Sequence, residues 1–170
     1  DGDHPGLARL TSELLLEGTE AQDAGEIARS FERYGARVST NSGRDTGEFI
    51  LRGLSDPARL EPVIEQLAAV MQGASFPADA LERVRRQMLL GLQQAKSSAA
   101  DQAERAFTRA IYGDHPYASP PSGTTASVEA PDRQAVVDFH TRHYTANNAV
   151  LTVVGDLTRA RAEAIAEQLS

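Results

Sequence analysis

Gly6-Leu7-Ala8-Arg9-Leu10-Thr11-Ser12-Glu13-Leu14-Leu15-Leu16-Glu17-Gly18-Thr19 is the stretch on which the reading of this chain turns. Leu7, Leu10, Leu14 and Leu15 recur at the spacing of an amphipathic helix. Pro5 suits the first turn and Gly18 the end, so the pattern predicts a helix over 6–17. Arg9, Ser12 and Glu13 then share one face of that helix, opposite much of the leucine stripe. Taken alone they describe an i,i+4 arginine–glutamate pair, worth a few tenths of a kcal/mol.

Working outward, a second helix fits 23–34. Asp23 caps it, Ala24, Ile27, Ala28 and Phe31 form its apolar stripe, and Gly35 stops it. Two strands are expected next, at 36–42 and 48–52, joined by a turn at Gly43-Arg44-Asp45 into an antiparallel hairpin whose first, more polar strand lies nearer an edge. Asp56-Pro57 opens a third helix, with Leu60, Val63, Ile64, Leu67, Val70 and Met71 at helical spacing. Further helices are expected from Pro77 to about 96, over 100–111, over 132–143 and from near Thr158. A loop rich in proline, glycine and serine fills 113–125. Ala149-Val150-Leu151-Thr152-Val153-Val154 is continuously apolar and reads as a central strand. The whole is an α+β pattern, helices packed on one face of a mostly antiparallel sheet. Three strands are few for so much helix, so more strands are expected before Asp1, in a chain truncated at its N-terminal strands.

The 170 residues argue for one domain. Hydrophobic residues at 41% and charged residues at 24% match an ordinary globular core and surface. There is no cysteine, which removes disulfides, thiol nucleophiles and cysteine metal sites. A net charge of -7 gives nucleic acid no electrostatic foothold. No apolar run approaches the ~20 residues of a transmembrane segment.

Local chemistry is sparse. His140 and His143 lie three apart on one helix and would hold a metal only if a third ligand converged; otherwise they are imidazoles at a solvated helix end. His115, in Asp114-His115-Pro116-Tyr117, reads as loop packing. No G-x-S-x-G elbow and no glycine-rich phosphate loop is present. Arg83, Arg85 and Arg86 would suit an anion, or simply a solvated face diluted by Glu82.

The opening segment resembles the signature helix of the pitrilysin/insulinase family of zinc peptidases, the inverzincins, which opens with Gly-Leu-Ala and closes with Gly-Thr. The resemblance continues through Glu26-Ile27-Ala28, Tyr34-Gly35-Ala36, Ser39 to Asp45, Gly113-Asp114-His115-Pro116-Tyr117, Pro121-Ser122-Gly123-Thr124-Thr125, Phe139 to Tyr144, Asn147-Asn148 and Val153-Val154-Gly155-Asp156. In that family H-x-x-E-H places two histidines on zinc and the glutamate as base. Laid on this chain, the motif falls on Arg9, Ser12 and Glu13, and the third ligand's register falls near Leu89, Leu90 and Gly91. Arginine is a permanent cation and serine is no carboxylate base. The resemblance therefore implies no catalytic residue, no metal ligand and no cofactor in this domain.

It further implies a single pitrilysin-like half-domain over 1–170, part of a longer two-half subunit. Such a half completes a proteolytic chamber and helps to bind peptide substrate for a homologous partner subunit or half-domain that carries the zinc. The peptide would add to the edge strand at Val38, Ser39, Thr40, Asn41, Ser42 and Gly43, by main-chain hydrogen bonding. The same strand also reads as a merely protected polar edge. Two alternatives stay open: an active zinc endopeptidase with an atypical site, for which His140 and His143 are the available pair, and a purely structural core-type subunit. An exported, periplasmic location in a bacterium is the expectation for degenerate relatives of this type.

Overall fold

The computed structural model describes residues 4–170. Helix α1 (Leu7–Leu14) runs through the middle of the fold, packed against a hairpin on one side and later helices on the other. It is followed by α2 (Ala24–Glu32), the strands β1 (Arg37–Ser42) and β2 (Gly47–Arg52), and the helices α3 (Pro57–Gly73), α4 (Ala78–Ser97) and α5 (Ala99–Tyr112). After a 3-10 turn at Pro116–Ala118 come the short α6 (Thr125–Glu129), α7 (Arg133–His143), a second 3-10 turn at Ala146–Asn148, and α8 (Arg159–Leu169).

Local chemistry accounts for most of these boundaries. Asp23 and Glu26 form a reciprocal capping box at the start of α2, with Asp23 Oδ1 accepting from the Glu26 N–H at 2.8 Å and Glu26 Oε2 accepting from the Asp23 N–H at 3.0 Å. Asp132 caps α7 through the Ala135 N–H at 2.8 Å. α1 is shorter than its leucine spacing predicts, because the chain turns away after Leu14; Leu15 stays fully buried all the same. Its entry is tight. Gly6, at φ +95°, lies against Gly123, at φ +75°, and a Cβ on Gly123 would fall 2.3 Å from the Pro5 carbonyl oxygen. Only glycine permits both the left-handed backbone and that approach.

The core has two parts. Leu7, Leu10, Leu14 and Leu15 of the α1 segment pack with Phe76, Leu81, Val84, Met88, Leu92, Val128 and Val136. Ile27 and Phe31 of α2 pack with Val63, Leu67 and Val70 of α3. Phe49 of β2 touches both, so the hairpin is pinned where the two cores meet.

The expected sheet is the main correction. The described residues are mostly helical, and their sheet is a single antiparallel hairpin, β1 with β2, in the register Arg37↔Arg52 to Ser42↔Gly47. The segment 149–154 forms no strand; Val150 is 94% exposed and Val154 92%. An apolar β-branched run sets a preference, but a strand exists only through a ladder partner, and among the described residues this segment has none. A fold of helices layered on one face of a mostly antiparallel sheet is therefore not what forms. Helix packing around α1 dominates, with the hairpin as a small open appendage. No helix among the described residues is long and apolar enough to cross a membrane.

Candidate functional site

α1 delivers the three motif positions to different surroundings. Arg9 and Glu13 are half-exposed and paired, with Nε to Oε1 at 2.7 Å. Ser12 is only 1% exposed, so the helix is buried over a wider arc than its leucines mark. Ser12 Oγ makes no well-formed hydrogen bond. It lies close to Tyr144, whose hydroxyl is pushed above the usual phenol range by burial, with Ser12 acting in the opposite direction. Tyr144 in turn stacks on His140 and meets Phe49 edge-on at 6.5 Å. It also crowds Gly47, where a Cβ would fall 2.9 Å from the phenol oxygen and Tyr144 would have to shift.

Arg9, Ser12 and Glu13 line a cavity of about 320 Å³ together with Thr40, Asn41 and Ser42 of β1 and Pro121 and Ser122 of the following loop. Folding thus brings the helix positions and the edge strand, read separately from the sequence, onto one concavity. The hairpin register shows which main-chain groups are free. The Gly43 N–H donates to the Thr46 carbonyl at 2.8 Å. That makes Ser42↔Gly47 a non-hydrogen-bonded pair, and the alternation of an antiparallel ladder does the same for Thr40↔Phe49 and Val38↔Leu51. The N–H and C=O groups of Val38, Thr40 and Ser42 therefore point away from β2, to an edge that no strand occupies among the described residues. Ser39 and Asn41 turn theirs inward to the ladder, and Asn41 also reaches Glu48 across the pair at 3.1 Å. Gly43 spends its N–H closing the hairpin.

The residues present do not fit a zinc ion. Of the residues on which the resemblance lays the motif, Arg9 is a fixed cation, its ion pair engages Glu13, and Ser12 offers no carboxylate. Where the resemblance lays the third ligand, Leu89 packs on the core, and Leu90 is 60% exposed beside Gly91. Among the described residues no group of three histidine, aspartate or glutamate side chains could hold a metal. His140 and His143 do not make an alternative. His140 packs edge-on to Phe76 at 5.3 Å and stacks on Tyr144 at 5.0 Å, while His143 lies tilted against Phe139 at 4.4 Å. Burial lowers the His140 pKa, partly offset by the Met71 main chain. Two of the three arginines on α4 are likewise engaged. Arg83 pairs with Glu17, and Arg85 with Glu82 and the Pro131 carbonyl.

Residues 1–125 match the family model described as Insulinase (Peptidase family M16), and residues 132–170 match the one described as Peptidase M16 inactive domain. The chain belongs to the insulinase family, M16. A solved structure of a peptidase M16 inactive domain from Pseudomonas fluorescens is 37% identical and superposes with a TM-score of 0.95, covering 99% of this chain and 41% of that one. An uncharacterized zinc protease of Rickettsia bellii is 23% identical over 164 residues, 96% of this chain and 39% of its own length. The first half of the periplasmic protease PqqL from Escherichia coli shares the fold at a TM-score of 0.85 and 19% identity, covering 99% of this chain and 37% of that one. The chain thus spans about two fifths of the relatives it matches. M16 is a zinc-peptidase family; the C-terminal part of this chain matches its inactive-domain model, and its described residues hold no metal-binding cluster.

Sequence reasoning placed the helix and the strand correctly but missed three contributors. Pro121 and Ser122 were legible only as markers of the family's central loop, and Tyr144 only as a marker of its closing helix. Each acquires its role from a contact between residues far apart in sequence.

Proposed function

We propose that this M16 domain is a zinc-free half of a longer two-half subunit that completes a proteolytic chamber and holds extended peptide for a homologous, zinc-bearing half or subunit. The reading is carried by one observation: the helix face that would bear zinc opens into the same cavity as the free edge of β1, and bears an Arg9–Glu13 ion pair instead. Peptide would add to Val38, Thr40 and Ser42 as a new antiparallel or parallel neighbour, each residue offering one donor and one acceptor. Ser39, Asn41 and Gly43, whose main-chain groups are used within the hairpin, would contribute surface rather than hydrogen bonds. The chain spans about two fifths of the length of the Pseudomonas and Rickettsia proteins it matches. By likeness to the periplasmic PqqL, the protein is proposed to act outside the cytoplasm.

The test is Thr40→Pro. The Thr40 N–H faces outward, so proline spares the β1–β2 ladder and removes only a donor to an added strand. Binding of a fluorescein-labelled nonapeptide pool of mixed sequence, followed by anisotropy, is expected to fall at least tenfold with little change in melting temperature. Equal binding by Thr40→Pro would move the peptide off this edge, and no binding by the unaltered protein would leave a purely structural subunit.

A further inference from the structure

We infer that Arg44 and Tyr117 are positioning residues for this groove: they clamp the tip of the β1–β2 hairpin to the loop 113–125 and so hold the two walls of the cavity at a fixed separation. The inference rests on the peptide-docking reading above.

The tip, 43–46, has every residue exposed and no apolar side chain to anchor it. A hairpin end of that kind opens locally at small cost unless something outside the hairpin holds it. Here the hold comes from a loop more than seventy residues away, through chemically distinct contacts. Arg44 donates from one terminal nitrogen to the carbonyls of both Tyr117 and Ser119, the latter at 3.1 Å. Its guanidinium sits 5.4 Å from the centroid of the Tyr117 ring. The Tyr117 hydroxyl donates to Asp45 Oδ1 at 2.8 Å. Tyr117 is itself braced, edge-on to His115 at 4.9 Å and to Tyr112, at the end of α5, at 5.5 Å. The His115 ring is set by accepting the Tyr117 N–H at Nδ1, 3.2 Å away.

The elements joined by this clamp are those that wall the cavity. The hairpin contributes Thr40, Asn41 and Ser42, and the loop contributes Pro121 and Ser122. Strand addition needs the edge donors and acceptors in register before the peptide arrives, and ordering them beforehand spares that entropy at binding. Arginine suits the task because its guanidinium donates to two carbonyls through one terminal nitrogen while its plane lies near the Tyr117 ring.

The experiment compares Arg44→Ala, Arg44→Lys and Tyr117→Phe with the unaltered protein by three readouts: hydrogen exchange at the Gly43 amide, melting temperature, and anisotropy of the labelled nonapeptide pool. Arg44→Ala is expected to speed Gly43 exchange on the order of tenfold and weaken the probe several-fold, leaving exchange in α3 and α4 unchanged. Arg44→Lys should recover part of both losses, and Tyr117→Phe should fall between. Unchanged exchange in Arg44→Ala overturns the clamp. Faster exchange with undiminished peptide affinity overturns the positioning role while peptide docking survives. Faster exchange in a protein whose unaltered form binds no probe overturns the docking reading and, with it, the positioning role.

Discussion

Rebuilding H-x-x-E-H on α1 separates what the helix lost cheaply from what it cannot easily regain. Arg9→His with Glu13→His changes two half-exposed side chains and removes one exposed ion pair, worth about 0.5 kcal/mol. The poorer helix propensity of histidine brings the total to about 1 kcal/mol. For a chain of this size that lowers the melting temperature by about 2–4 °C. Ser12→Glu is different in kind. Ser12 borders the cavity but is 1% exposed beside the buried Tyr144, so the added atoms press on the packed side of the site at about 1–3 kcal/mol. A carboxyl left there without partners costs about 1–3 kcal/mol more. The sum, about 4 kcal/mol, corresponds to a fall of roughly 8–16 °C. Thermal unfolding followed by circular dichroism measures both, and elemental analysis after Zn²⁺ loading and desalting measures the metal. The double-histidine variant is expected to keep no stoichiometric zinc, since two ligands fall short of the three that a catalytic site requires. A Ser12→Glu protein that melts with the unaltered one would refute the packing argument. About one zinc retained per unaltered chain would refute the reading of the site.

Other outcomes follow from the same geometry. Asp23→Ala removes half of the α2 capping box and should cost about 1 kcal/mol, seen as a drop of about 2–4 °C in melting temperature. His140 has a folded pKa held below its ordinary 6.5 by burial. The unfolded chain therefore binds its proton first, and stability should be full above about pH 6.5 and decline as pH falls through the lower folded value. His140→Gln should flatten that decline in denaturant titrations from pH 7.5 to 5. Val150 and Val154 are almost wholly exposed on an unpaired extended segment. Replacing both by lysine should leave the melting temperature of this chain within about 1–2 °C and reduce its self-association by light scattering, as expected for an open apolar edge.

Local order was legible wherever it rests on short-range chemistry. The Asp23 capping box, the Pro57 helix start, the hairpin at 43–46 and the leucine period of α1 depend on groups within a few residues of each other. The unfitness of Arg9 for zinc was likewise plain, because a permanent cation cannot ligate the metal in any fold.

The tertiary structure decided the rest, and for one physical reason: burial and pairing are properties of neighbours, not of residues. Ser12 looked like part of a polar face and is sealed under Tyr144 and the hairpin. The run 149–154 carried every mark of a strand and is none, because a ladder needs a second chain segment. The cavity between α1, β1 and Pro121-Ser122, and the Arg44–Tyr117 clamp beside it, exist only once segments more than seventy residues apart meet. The sequence alone determined the helices, the hairpin and the unfitness of Arg9 and Ser12 for metal. Folding determined which of those elements face a common groove.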